Sequence, residues 1–177
     1  MDTWAQLHLN KPYDENGAWA AGGTTHAALL QRLLAHPYFS QPLPKSTGRE
    51  QFDGAWLSSC LADFELAGFQ ISAQDVQATL CALTAHTIAN AVREHLPRCQ
   101  GVYICGGGAL NGHLMALLQA QLACPVRSSD ALGVAPQHME SIAFAWLARQ
   151  CMLGLPGNIP SVTGALGPRV LGCINPA

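Results

Sequence analysis

Gly101-Val102-Tyr103-Ile104-Cys105-Gly106-Gly107-Gly108-Ala109-Leu110-Asn111 is the stretch whose reading decides the fold class. Its first five residues are a short apolar run of β-prone side chains, three glycines follow at once, and a helical stretch runs from Leu110 to Leu122. That order reads as strand, glycine turn, helix. A second short strand is expected at Val126-Arg127-Ser128, which completes a β-α-β unit whose helix lies across a largely parallel sheet. The order of elements therefore predicts an α/β sandwich.

Glycines between a strand and a helix let a ligand approach the backbone without a Cβ clash, and exposed amides at a helix start favour anions. Phosphate or a nucleotide is the natural guest of Gly106, Gly107, Gly108, Ala109 and Asn111. Three glycines are equally what a tight structural turn uses. The run matches neither the Gly-x-Gly-x-x-Gly spacing of dinucleotide folds, since Asn111 stands where the third glycine would be, nor the Gly-Lys-Ser/Thr ending of a phosphate-binding P-loop.

Working outward, a long helix is predicted from Ser72, whose hydroxyl can accept from the amide of Asp75; its stripe runs through Val76, Leu80, Leu83, Thr87, Ile88 and Val92 and stops before Pro97. Upstream, a short helix is expected from Asp2 to Leu9, a turn at Pro12 to Gly17, and a helix capped by Thr24 or Thr25 that ends at Pro37. The segment from Phe39 to Arg49 reads as a loop, and another helix is expected from near Glu50 with Phe52, Trp56, Leu57, Cys60 and Leu61 on one face. Downstream of Pro136, a helix from His138 to Leu153 is predicted to turn Ile142, Ala143, Trp146 and Leu147 inward, and the tail from Pro156 holds too many Gly and Pro residues for another long helix.

A chain of 177 residues with 49% hydrophobic side chains can bury a proper core. Charged residues form only 11% of it, against about 25% in typical soluble domains, so much of the surface is neutral or covered by something else. The net charge of -2, with nine scattered Lys and Arg, offers no basic field and argues against nucleic acid. The seven cysteines are odd in number, contain no Cys-x-x-Cys pair, and read as reduced, small core residues of a cytoplasmic protein. No apolar run reaches the roughly 20 residues of a bilayer span, and the N-terminus has no secretory pattern.

Two more motifs carry polar chemistry. Pro44-Lys45-Ser46-Thr47-Gly48-Arg49-Glu50 puts two cations, two hydroxyls and a carboxylate in one loop: either a solvated turn whose Ser46 or Thr47 caps the next helix, or a sugar or phosphate contact with Arg49 suited to bidentate pairing. Gln137-His138-Met139-Glu140-Ser141 opens the later helix, and Glu140 in its first turn either complements the helix dipole or faces a cleft. The histidines make no recognisable zinc set.

These strings, with Met1-Asp2-x-Trp4, Tyr13-Asp14-x-x-Gly17 and Met139-Glu140-Ser141-x-Ala143-Phe144-Ala145-Trp146-Leu147-Ala148, resemble the anhydro-N-acetylmuramic acid kinases across essentially the whole chain. The Lys-Ser-Thr-Gly-Arg-Glu and Glu-x-x-Ala-Phe-Ala-Trp-Leu-Ala strings are the most specific. The resemblance implies an RNase H-like domain of the actin-like sugar kinase and heat-shock ATPase superfamily, with residues 1–177 as the C-terminal lobe of a two-lobed kinase. It further implies ATP and Mg²⁺ as cofactors, a cytoplasmic location, and phosphorylation of 1,6-anhydro-N-acetylmuramic acid, with hydrolytic opening of the anhydro bond, in peptidoglycan recycling. By the same carry-over Gly106 to Asn111 hold the adenosine side of ATP, Glu140 contacts the sugar, and Lys45, Ser46, Thr47, Arg49 and Glu50 shape the cleft.

Family members are roughly twice as long, and their first half supplies a phosphate loop and a general-base aspartate; nothing in this chain replaces that aspartate, so the catalytic base is expected upstream of Met1. Ser141 and Leu43 stand where alanine and proline are more usual. The partners implied are the absent N-terminal lobe and the anhydro-amino sugar; a homodimer is left open. Phosphoryl transfer needs donors on both flanks of the γ-phosphate, so a lone lobe is expected to be inactive. Beside this stand two other readings: a non-catalytic nucleotide-binding or assembly module that docks on another chain, and an unrelated α/β nucleotide binder.

Overall fold

The structure, a computed structural model, describes residues 1–48 and 50–175. In chain order the helices and strands are α1 (Asp2–Leu9), α2 (Ala18–Ala21), α3 (Ala27–Leu34), α4 (Pro37–Ser40), α5 (Gly54–Leu66), α6 (Ala73–His95), β1 (Val102–Ile104), α7 (Gly112–Gln121), β2 (Val126–Ser128), α8 (Met139–Met152) and α9 (Pro160–Thr163). Four single 3-10 turns join them, among them Glu15–Gly17 and Gly107–Leu110.

The spine is α6. Ser72 Oγ accepts from the Asp75 amide at 3.1 Å, as its sequence predicts, and Asp75 Oδ1 accepts from the Thr24 amide at 2.6 Å, which ties the preceding segment to the same helix end. Ten residues of α6 are buried, because elements pack on both of its sides. On one side Val76, Leu80 and Leu83 meet Leu29 and Leu33 of α3 and Leu57 and Phe64 of α5. On the other, Cys81 and Ala85 meet Ala20 of α2 and Leu114 and Leu118 of α7. Each fully buried leucine in these clusters contributes about 1.5–3 kcal/mol of transfer free energy. Trp4 Nε1 donates to the Ala73 carbonyl at 2.8 Å and fixes α1 to the start of the spine.

Among the described residues the sheet has two strands, β1 and β2, parallel and in register Val102 to Val126, Tyr103 to Arg127 and Ile104 to Ser128. The strand–helix–strand unit is the predicted one. Ile104 and Val126 lean onto the second cluster, whereas Tyr103 and Arg127 face solvent. The expected sandwich is thus corrected to a mostly helical α/β fold with a small parallel sheet covered on one side, because the described segments supply no third strand and no second helical layer.

Three local expectations change. The helix at Ala27–Leu34 has His26 at its N-cap without a side-chain bond, since Thr24 is engaged with Asp75. The next helix begins at Gly54 and is capped by Asp53, whose Oδ1 accepts from the Trp56 amide at 2.8 Å, so neither Ser46 nor Thr47 caps it. Most consequential, α8 buries none of its residues: Ile142, Phe144 and Trp146 are 49%, 71% and 48% exposed. Of the seven cysteines only Cys81 is fully buried, and Cys105 and Cys173 are exposed, so most are not core residues.

Candidate functional site

The glycine turn opens onto a cavity of about 690 Å³, lined by Gly107, Gly108 and Asn111 together with Asp14, Asn16 and Gln137. Gly106 adopts a left-handed backbone at φ +69°, which only glycine takes without strain, and lets the chain leave β1 and start the 3-10 turn. A Cβ added at Gly106 or Gly107 would meet open space, so the side-chain-free surface there is turned to solvent rather than packed away. That openness is what a ligand lying against the backbone requires.

The far wall comes from the Tyr13 to Gly17 turn, nearly a hundred residues away in sequence. Asn16, itself at φ 55°, accepts with Oδ1 from the Gly112 amide at 3.0 Å, and Asn111 Oδ1 accepts from the Leu114 amide at 2.9 Å as the cap of α7. At Gly17, also left-handed, a Cβ would lie 2.1 Å from Asn111 Oδ1, so the two turns touch backbone to side chain. Asp14 locks this wall: its carboxylate accepts from the Trp19 amide at 2.8 Å and the Ala20 amide at 2.9 Å, and buried Gln77 of α6 reaches it at 3.5 Å.

These bonds revise where an anion could sit. The first amides of α7 are already met by Asn16 and Asn111, and the Gly106 amide donates to the Pro136 carbonyl at 2.9 Å. Two of the first three amides of α7 are thus met internally, and the amides of His113, Gly107 and Gly108 take no such bond among the described residues. Ala109 lies within the turn, its amide bonded to the Gly106 carbonyl at 3.2 Å.

Lys45, Ser46, Thr47 and Glu50 are not among the residues lining this cavity. Lys45 Nζ donates to the carbonyls of Tyr38 and Phe39 at 3.1 and 2.9 Å and sits 5.0 Å from the Tyr38 ring centroid, where a cation stabilises the end of α4. The Lys45 ammonium is thereby engaged with backbone carbonyls at the end of α4. Glu50 accepts from the Gly48 amide at 3.1 Å, Thr47 bonds Gln51, and Ser46 is exposed. Arg49 lies outside the described residues. Thr47 does line a second, more apolar cavity of about 490 Å³ walled by Trp4, Phe39, Phe52, Trp56 and Leu83, and Met1 borders both cavities.

Glu140 is exposed in the first turn of α8, three residues after Gln137, and is not among the residues lining either cavity. Among the described residues no three His, Cys, Asp or Glu side chains converge as a metal set. Of the three carboxylates lining the cavity, Asp2, Asp14 and Glu15, Asp14 is already engaged by two backbone amides. No helix of the described residues is long and apolar enough to cross a membrane.

Sequence reading missed the Asp14 to Gly17 wall as part of the site. The available signal was the Tyr-Asp-x-x-Gly string, whose left-handed glycine and amide-binding aspartate signify a turn held in one shape.

Comparison with known proteins converges on one family. The family model described as anhydro-N-acetylmuramic acid kinase matches residues 1–177. Proteins of that name from Burkholderia cenocepacia and Chromobacterium violaceum are each 51% identical, over 181 and 177 residues, covering 99% of this chain and 46% and 47% of the relative. One from Paraburkholderia xenovorans is 49% identical over 182 residues, with the same 99% and 47% coverage. The chain spans about half the length of the curated relatives it matches. With the glycine turn, the Tyr-Asp-x-x-Gly wall and the α8 string all inside one continuous match, the chain belongs to the anhydro-N-acetylmuramic acid kinase family.

Proposed function

We propose that this chain is the C-terminal, nucleotide-holding lobe of an ATP-dependent kinase that opens and phosphorylates 1,6-anhydro-N-acetylmuramic acid in peptidoglycan recycling. The observation that carries the proposal is the bare backbone of Gly107 and Gly108 on the rim of a 690 Å³ cavity at the carboxyl end of a parallel strand. Clefts at the carboxyl ends of parallel strands are where α/β folds bind nucleotides. Asn111, whose Oδ1 is used as a cap, keeps its amide nitrogen for a ribose or base.

On this reading the lobe supplies positioning. Water must be activated and the γ-phosphate flanked from the opposite side of the cleft, so the general base and the phosphate loop come from the remainder of the full-length protein. Mg²⁺ would be held by phosphate oxygens and that remainder. Glu140, exposed at the start of α8, would reach the sugar only once the other lobe closes the cleft. The solvent-exposed Ile142 and Trp146, one turn apart on a face of α8, and Phe144 on another face support the same division: large exposed apolar side chains are what a second body would cover. The RNase H-like identity of the lobe follows the family; the two strands β1 and β2 would then be part of a larger sheet completed by the remainder.

Gly107→Val tests the site. Its Cβ enters open space, so thermal stability should stay within about 0.5 kcal/mol of the parent. Adenine-nucleotide binding by calorimetry should fall at least about tenfold, a loss of roughly 1.4 kcal/mol. Undiminished binding would remove the glycine turn from the site. The non-catalytic docking module predicts the same loss, and is separated from the kinase by phosphoryl transfer in the reassembled protein: binding and assembly without turnover would favour it.

A further inference from the structure

Cys99 and Cys124 stand in the two segments that lead into the parallel strands, at the end of the sheet opposite the glycine turn. Val102 pairs with Val126, and the ladder continues backwards, with the Val102 amide donating to the Pro125 carbonyl at 2.9 Å. Extended two residues back, the same register would set Cys124 level with Gln100, the sequence neighbour of Cys99.

Both side chains line one small surface cavity of about 170 Å³, together with Arg93, Leu96 and Leu122, and both are half-buried. Their backbones are held. Gln119 donates to the Cys124 carbonyl at 3.3 Å and accepts from the Val126 amide at 2.9 Å, while Cys99 Sγ points to the Gly101 carbonyl at 3.2 Å. Arg93 donates to the Gln121 carbonyl at 2.8 Å and clamps the end of α6 to the end of α7 around the pair. The Cys124 thiol lies above its ordinary value, first through desolvation and then through the Cys99 thiol next to it. The two thiols border the same surface cavity and are partly open to solvent, the arrangement in which thiol–disulfide exchange can reach both.

We propose that Cys99 and Cys124 are a redox modification site, a dithiol that low-molecular-weight disulfides such as glutathione disulfide convert to an intramolecular disulfide. One cysteine, after losing its proton to solvent, attacks a sulfur of the small disulfide and expels one small thiolate. The second cysteine, losing its own proton, displaces the other small thiolate from the mixed disulfide. Each closure thus oxidises two protein thiols, reduces one small disulfide to two small thiols, and is reversed by excess thiol. The bond would tie the lead-in of β1 to that of β2 and leave the glycine turn free, so the proposal stands independently of the nucleotide reading.

The test uses the purified 177-residue chain with glutathione disulfide, followed by alkylation, digestion and mass spectrometry. The expected result is loss of alkylation at Cys99 and Cys124 together and appearance of one peptide linking them, both reversed by dithiothreitol. Cys99→Ser should leave Cys124 as a glutathione adduct, and Cys124→Ser the converse. If Cys99 and Cys124 stay alkylated while exposed Cys105 and Cys173 take up glutathione, or if the two are linked to other cysteines, the site is overturned.

Discussion

α6 and α8 are both long, both carry a carboxylate in the first turn, and both space apolar residues at helical intervals, yet α6 buries ten residues and α8 buries none. The difference lies in their neighbours. α6 runs between α3 and α5 on one side and α2 and α7 on the other, so the chain itself supplies the surfaces that cover it. α8 has no such cover among the described residues, and its Phe144 and Trp146 are exposed to water. An apolar stripe states that a helix expects a partner, and says nothing of whether that partner lies in the same segment of chain. On the proposed function, the partner of α8 belongs to the other half of a protein twice this length.

The sharpest way to break this contrast is to truncate one large side chain on each helix system. Leu118→Ala removes a fully buried residue packed against α6 and should cost about 2–5 kcal/mol in denaturant unfolding, whereas Trp146→Ala on α8 should cost less than about 1 kcal/mol. Equal costs would show that α8 is a packed element of this chain. A smaller effect is expected at the cavity wall: Asp14→Ala strands the Trp19 and Ala20 amides and should destabilise by about 2–3 kcal/mol, read by the same unfolding assay. A loss under about 0.5 kcal/mol would mean the wall is not anchored to α6 as described.

The smallest effect concerns pH. The bond from the Thr24 amide, and then that from Ser72, hold the Asp75 carboxyl below its usual range. A folded value below the unfolded one stabilises the protein fully above about pH 4 and is lost as pH falls through the folded value, where both states bind the proton. Asp75→Asn should therefore flatten the acid limb of the stability curve in that window and leave its alkaline limb unchanged. An acid limb identical to the parent's would remove Asp75 from the account of α6.

Much of the scaffold could be read from residues alone because its signals are local. Ser72 and Asp75 cap α6 as expected, the Val126 to Ser128 strand has its predicted bounds, and the triple glycine does join a strand to a helix. What escaped reading depends on contacts between distant residues. Asn16 reaches Gly112 across 96 positions, and no periodicity announces that a Tyr-Asp-x-x-Gly turn will wall the glycine turn. The two readings of the Lys45 loop stayed open in the sequence because a loop cation has no local mark that tells a ligand contact from a cap of α4. The inward face predicted for α8 failed for the reason drawn from α6: spacing shows the stripe, and only tertiary neighbours bury it.

Co-expression of this chain with each complementary half of the Burkholderia cenocepacia relative, followed by purification and assay with ATP and the anhydro sugar, tests the central claim most directly. The N-terminal half should form a stable complex that phosphorylates the sugar, with Trp146→Asp reducing its assembly by more than about tenfold. Turnover by this chain alone, or complementation only by the C-terminal half, would contradict it.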